Sequence, residues 1–428
     1  MANEGSAFGA TLPQTREGVT LADAGFAALL LLVFVGLHPF EVRDSAALLH
    51  GADESGSGSV LRQASYLGVF ALTGFAALHR GVRVWSAVPV SLLLLLGWCV
   101  ASALWAGEPY VTLRRAALEC VIVGSVFLGV MTLGAERALR IFYWVLAGVL
   151  IVNWLSIPLV PQAVHLAGEA DPSLIGDWRG LYFHKNIAGA VCAISALVFF
   201  FAFMETRRWW DGVLFVGAVA FAAMTHSKTS LALLPVALVV GAVYRFAWGR
   251  VLDRQIVLVA ALLIGFVAVV ALASEWNALA HLLTDPEELS GRAAIWQAEL
   301  RAIADNPLLG SGFGSFADTG GASPLRHYIG SAWIANISHG HSGYLQLLVT
   351  IGGVGFVLAL WALVGWPFRR FLAADADDLN LKGLLFAVFV FVVFHNILES
   401  DYLESDAAAW VAFLLMLAML KNIGRARV

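Results

Sequence analysis

Apolar stretches of about 17 to 23 residues recur along almost the whole chain, and that length spans a bilayer as a helix. The strict apolar–polar alternation of transmembrane β-barrel strands is not the pattern seen. The stretches fall roughly at 21–39, 63–79, 84–104, 115–133, 138–160, 187–204, 209–225, 229–247, 256–273, 344–366, 382–398 and 406–421. The pattern predicts an all-α polytopic membrane protein with about twelve transmembrane helices. One interval breaks the rhythm. Residues 274–343 form a long polar segment, and loops of that length are uncommon and usually functional. The expected organisation is helices 1–9 over residues 1–273, a loop over 274–343, and helices 10–12 over 344–428.

The long segment carries helix signals of its own. Asp285-Pro286-Glu287-Glu288 reads as an N-cap followed by a first-turn proline. Arg292, Trp296, Glu299/Leu300 and Ile303 then recur at helical spacing, and Asn306-Pro307 stops the pattern. The glycine-rich Gly310–Phe316 stretch follows a helix and lacks the Gly-Lys-Ser/Thr ending of a phosphate-binding loop, so it reads as a turn.

Composition sharpens the picture. Of 428 residues, 60% are hydrophobic and 13% are charged. Soluble proteins carry about 25% charged residues. The N-terminal stretch lacks the charged start and cleavage site of a signal peptide, so the first span is expected to be retained. Cys99, Cys120 and Cys192 all fall within apolar runs, with no disulfide framework or paired-cysteine metal motif. There is no HExxH and no Asp-rich loop, so no metal and no cofactor is expected. Membrane lipids are the expected surroundings, and no nucleic-acid partner is expected.

The distribution of charge sets an orientation. With the N-terminus inside, the inner loops carry Arg16, Arg80, Arg83, Arg137, Arg140, Arg207, Arg208, Arg245, Arg250, Arg254, Arg369, Arg370, Lys382, Lys421, Arg425 and Arg427. This positive-inside bias puts both termini in the cytoplasm. The outer segments are acidic, yet Arg179, Lys185, Lys228 and Arg292 lie there, against the bias.

These cations sit in recognisable stretches. In DWRGLYFHKN, Arg179, His184, Lys185 and Asn186 stand just before a span. One reading is interfacial anchoring by aromatic rings and snorkelling cations. The other is an anion site, since guanidinium, ammonium and amide groups suit phosphate oxygens. In THSKTS, Lys228 reads as a snorkelling residue or a second cation, beside possible helix caps at Ser227 and Thr229. Arg292 lies on the apolar stripe of its helix, where it needs a partner: Glu288 four residues earlier, or a bound anion.

The stretch HGHSGYLQLLVTIGGVG, from His339 to Gly355, places two imidazoles at the lip of an apolar helix. A helix start favours anions and disfavours positive charge on a nearby ring. A neutral His341 could there accept a proton from a hydroxyl, and His339 is the second candidate. The plain alternative is a histidine satisfied at the interface.

At these residues the chain resembles the O-antigen ligase and Wzy-type polysaccharide polymerase superfamily. The ligase signature is His, then Asn/Ser/Gln, nine residues, then Gly-x-x-Gly; here His341-Ser342 is followed after Ile351 by Gly352-Gly353-Val354-Gly355. The SGRxxxW arginine in a large outer loop resembles the family too, as does the number of spans. The resemblance implies a GT-C-like, metal-independent glycosyltransferase of the bacterial inner membrane. Such enzymes take a glycan from undecaprenyl pyrophosphate on the periplasmic face. Ligases give it to lipid A–core, and polymerases give it to another lipid-linked repeat. It implies catalytic roles for His341, Arg292 and Lys228, with Arg179, His184, Lys185, Asn186 and His339 binding pyrophosphate or glycan. Asp177, Glu399 and Asp401 are alternative bases. Lys228 stands where ligases usually have arginine, and FHKN with SKT looks more like the exopolysaccharide-polymerase branch. A polytopic transporter is the rival class, but no two related halves are visible.

Overall fold

The computed structural model describes residues 19–42, 59–83, 86–167, 169, 172–247, 292–317, 323–328, 340–373 and 378–423. The described chain is helical, with no β-strand among the described residues beyond one bridge between Val164 and Trp178. In chain order the helices are α1 (Leu21–Phe34), α2 (Val60–His79), α3 (Val90–Ala101), α4 (Pro109–Leu133) and α5 (Ala135–Leu159). Next come α6 (Lys185–Thr206), α7 (Trp209–Met224), α8 (Lys228–Ala247), α9 (Arg292–Asp305) and the single turn α10 (Leu325–Tyr328). The last are α11 (Gly343–Ala359), α12 (Trp366–Leu372), α13 (Leu379–His395) and α14 (Ala408–Ile423).

Among the described residues, five helical stretches are each long and apolar enough to cross a membrane: α4, α5, α6, Lys228–Phe246 of α8, and Gly343–Leu372, which spans α11 and α12. Shorter apolar helices, including α1, α7, α13 and α14, pack beside them. This is the build of a multi-pass membrane protein. The expected span at 256–273 lies outside the described residues, as do Asp285–Glu288.

Helices α6, α13 and α14 are apolar on all sides and buried almost throughout, which marks them as the centre of the bundle. Helix α6 touches α5, α7, α8, α13 and α14. Helices α8 and α13 cross closely at two glycines. A methyl group on Gly241 would lie 2.7 Å from the Gly383 carbonyl oxygen. Small residues at such crossings let backbones approach and gain dispersion contact where lipid offers no hydrophobic drive.

The expected single span over 344–366 is not a regular helix. Gly352 has φ 66° and ψ −176°, which breaks α11, and Leu360–Gly365 forms a π-turn before α12. The glycine-rich segment after α9 fills the break. Ser311 N–H donates to the Val349 carbonyl and Gly312 N–H to the Thr350 carbonyl, each at 2.9 Å. Gly353 N–H donates to the Pro307 carbonyl at 2.8 Å, and the Trp98 indole donates to the Ile351 carbonyl at 3.0 Å. Backbone groups freed in an apolar bundle must find partners, and this segment supplies them. Gly310, Gly312 and Gly314 all have positive φ, as a turn requires. The segment is thus the expected turn and also a plug.

The plug positions α9. Its far end is tied to α3 and α4: Phe313 N–H donates to Ser102 Oγ at 2.9 Å, and Arg115 donates to the Gly314 carbonyl. Ala298 and Ala302 of α9 pack with Val349 of α11. The Trp296 indole donates to the Gly340 carbonyl at 2.9 Å, next to His341.

Candidate active site

Helices α6, α8 and α11 begin, and α13 ends, at the same end of the bundle. The side chains there are joined through two carboxylates. Glu399, just past α13, accepts from the Asn186 amide at 2.9 Å through Oε1. Its Oε2 lies 3.6 Å from His341 Nδ1. Asp177, before α6, accepts from Lys185 Nζ at 2.5 Å on Oδ2 and meets His226 Nδ1 at 2.5 Å on Oδ1. Lys185 and Asn186 are the first two residues of α6, so the helix start bridges the two carboxylates.

Local backbone explains why the groups meet. Ser342 is the N-cap of α11, and His341 before it has φ 53°. Left-handed backbone at a non-glycine residue costs about 1–3 kcal/mol and persists where the surroundings impose it. Here they do: Gly343 N–H donates to both the Asn396 and Glu399 carbonyls at 2.9 Å. A methyl on Gly343 would lie 2.2 Å from Asn396 Oδ1. Asn396 Oδ1 in turn accepts from the Asp401 and Tyr402 N–H groups at 2.9 Å. The turn after α13 is therefore locked against the start of α11.

Electrostatics divides the groups. Asp177 is desolvated by burial, but its hydrogen bonds to Lys185 and His226 outweigh this and hold its carboxyl below the usual range. The site end therefore keeps an ionised Asp177. Burial pushes the His184 imidazole down to about 4, helped by His165, His341 and Lys185. Its Nδ1 accepts from Asn186 N–H at 3.2 Å, so the neutral ring caps α6. Burial also pushes the Glu299 carboxyl up to about 8. Glu299 lies on α9 against Gly340, where a methyl group would come within 2.0 Å of its Oε1.

Not every expected site residue is placed to meet an anion. Arg179 is fully buried, and its guanidinium is spent inside the protein. It donates to the Gln162 carbonyl at 2.7 Å, to the Phe183 carbonyl at 3.1 Å, and pairs with Glu169. The geometry makes it a brace for the loop before α6. His184 is uncharged in its cap position, so it offers no positive charge to a phosphate. Lys185 opens α6 and pairs with Asp177. Lys228 opens α8 and is exposed, two residues beyond His226. Arg292 opens α9, one turn before the Trp296 that grips Gly340; its side chain lies outside the described ones. His339 also lies outside the described residues.

Three groups were less visible in the sequence. Glu399 figured only as an alternative base, yet it accepts from Asn186 and lies 3.6 Å from His341 Nδ1. His226 has φ 49° and is fastened to Asp177; the lone clue was its place in THSKTS. His395 bridges Asp401 at 2.7 Å and Ser230 Oγ at 3.2 Å, tying the end of α13 to α8.

This constellation presents imidazoles oriented by carboxylates beside cations and a helix start. It can hold an anion and relieve a hydroxyl of its proton. The O-antigen ligase family model matches residues 213–360, from α7 through α8 and α9 into the π-turn after α11. That range contains His226, Lys228, Arg292 and His341. No curated protein matches the chain. Over residues 213–360 the chain is thus similar to the O-antigen ligase family, which supports the resemblance to the O-antigen ligase and Wzy-type superfamily.

Proposed function

We propose that the protein is a metal-independent inverting glycosyltransferase that moves a glycan from undecaprenyl pyrophosphate to an acceptor. The assignment favoured is the O-antigen ligase type, with lipid A–core as acceptor. Its place is the bacterial inner membrane, with both termini cytoplasmic and the site facing the periplasm. The fold is GT-C-like, with spans over 1–273 and 344–428 around the 274–343 loop. The observation that carries the proposal is Glu399, which is hydrogen-bonded to Asn186 at the start of α6 and lies 3.6 Å from the imidazole of His341.

In the mechanism, the acceptor hydroxyl attacks the anomeric carbon in line. His341 takes its proton, and Glu399 steadies the imidazolium that forms. The bond from the anomeric carbon to the phosphate oxygen breaks, and that oxygen keeps the electron pair. Arg292 and Lys228 meet the growing negative charge, with Lys185 at the same end. Arg179 acts through the loop it braces. The mechanism requires the 3.6 Å separation of His341 and Glu399 to shorten when substrate is bound.

A polymerase of the Wzy or exopolysaccharide type is the second reading, favoured by Lys228 in SKT and by His184-Lys185-Asn186. The transporter reading draws on the broken α11, since broken helices near the midplane line transporter sites. Here protein backbone from Pro307–Gly312 occupies the break, which argues against an ion site at that point.

The test is a glycan profile of cells lacking the protein, separating surface-linked from undecaprenyl-linked material. Long chains that persist on undecaprenyl pyrophosphate identify a ligase. Single repeats alone identify a polymerase. Unchanged pools would overturn the transferase reading.

A further inference from the structure

Three carboxylate–imidazole pairs meet the start of α6: the mechanism above uses His341–Glu399, and His165–Glu169 is buried, with His165 Nε2 accepting from the Lys185 N–H at 3.2 Å. The remaining pair, Asp177–His226, is open to solvent. Asp177 has 11% of its side chain exposed, while the His226 ring bound to it is 63% exposed. The ring is thus anchored at Nδ1, and Nε2 is left as its open nitrogen. The anchor also orders proton positions: with Nδ1–H donated to the carboxylate, a second proton on the ring sits on Nε2.

The backbone is built to hold this ring outward. His226 is left-handed at φ 49°, a conformation that costs a non-glycine residue about 1–3 kcal/mol. The following residue, Ser227, is buried against α6, where a methyl on Gly189 would lie 2.5 Å from its Cβ. Gly189 is one turn beyond Lys185. The strained turn is therefore pinned on the helix whose first residue shares Asp177 with His226. Strain of this kind collects at functional sites.

Neighbouring charge indicates the task. Lys185 shares the carboxylate of His226, and exposed Lys228 lies two residues along. Three nitrogen donors thus stand on the Asp177 side, while the Glu399 side holds His341 as proton acceptor. An anion belongs on the first side and a hydroxyl on the second.

We infer that His226 is a substrate-binding residue that contacts the pyrophosphate of the lipid-linked donor, donating a hydrogen bond from Nε2 to the phosphate oxygen that takes up charge as the glycan leaves. This rests on the transferase reading. The proton stays on His226; the electron pair of the broken bond goes to that oxygen, and the hydroxyl proton goes to His341. No oxidant or further reactant is needed.

The experiment uses the purified full-length protein and two probes, undecaprenyl pyrophosphate and undecaprenol, followed by glycan transfer from the lipid-linked donor. His226→Ala should weaken undecaprenyl pyrophosphate binding and slow transfer at least about tenfold, as loss of one charge-assisted hydrogen bond does. Undecaprenol binding should stay unchanged. Added imidazole should restore part of the loss, because the exposed ring leaves a space open to solvent. His79→Gln, exposed at the opposite end of the bundle, is the control. Binding and transfer within about twofold of wild type would overturn the inference. So would an equal loss for undecaprenol, or a loss that imidazole leaves untouched. If the wild type itself does not distinguish the pyrophosphate from the alcohol, the transferase reading fails and takes this inference with it.

Discussion

Replacing Glu399 by Gln keeps the shape of the side chain and removes its charge. Gln can still accept from the Asn186 amide, now 2.9 Å from Oε1. Its amide nitrogen then faces His341 Nδ1, where a carboxylate oxygen stands at 3.6 Å. Two consequences follow. A donor facing Nδ1 favours the tautomer with the proton on Nε2, which closes the nitrogen that would receive the hydroxyl proton. The imidazolium formed during transfer also loses its counter-charge. At 3.6 Å and an effective dielectric of about 20, that attraction is worth about 4–5 kcal/mol. The His341 ring is 25% exposed, so water screens the pair. A surviving contribution of about 2 kcal/mol corresponds to roughly a 30-fold loss of rate. The assay is glycan transfer by purified protein, with thermal unfolding measured in the same detergent. Transfer within about threefold of wild type, at unchanged stability, would refute the role given to Glu399.

Three further outcomes are expected. Gly352→Ala places a methyl 2.3 Å from the Leu308 carbonyl oxygen at a left-handed position, so thermal stability should fall by several degrees, at a cost of at least about 2 kcal/mol; Gly148→Ala, inside α5 with nothing within 4 Å of its methyl, should not lower it. Glu299 has its folded-state pKa raised to about 8 from 4.5, so the folded protein holds a proton that the unfolded chain releases, and stability should fall as pH rises between those values. Glu299→Gln should therefore match wild type near the low end of that window and exceed its thermal stability above the high end. Arg292→Ala should slow transfer by at least ~100-fold if the arginine stabilises the departing charge, and near-normal transfer would remove it from the site.

Helices were legible in this sequence because a membrane forces the backbone to satisfy itself within each span, so length and apolarity suffice to find them. The residues proposed for the site drew notice where charge defied the local bias, as at Lys185 and Lys228, or where an imidazole stood at a helix start, as at His341. What the pattern could not convey is pairing between distant segments. Asn186 and Glu399 are 213 residues apart, and no periodicity links them. The fate of Arg179 turned on Glu169 and two carbonyls, which only the folded loop brings to it. The Gly-x-x-Gly of the signature falls inside what reads as one apolar span over 344–366. In the structure its first glycine is a break that receives the backbone of another loop, a feature invisible to hydropathy because backbone groups carry no side-chain signature. His226 was passed over because an exposed histidine in a short turn looks ordinary until its partner is known.

The most direct test of the central claim is transfer in reconstituted vesicles, with undecaprenyl pyrophosphate-linked glycan as donor and lipid A–core as acceptor. The anomeric configuration of the new linkage would be read by NMR. Wild type should form the linkage with inversion, and His341→Ala should not form it. Retention of configuration, or equal transfer by the His341 variant, would contradict it.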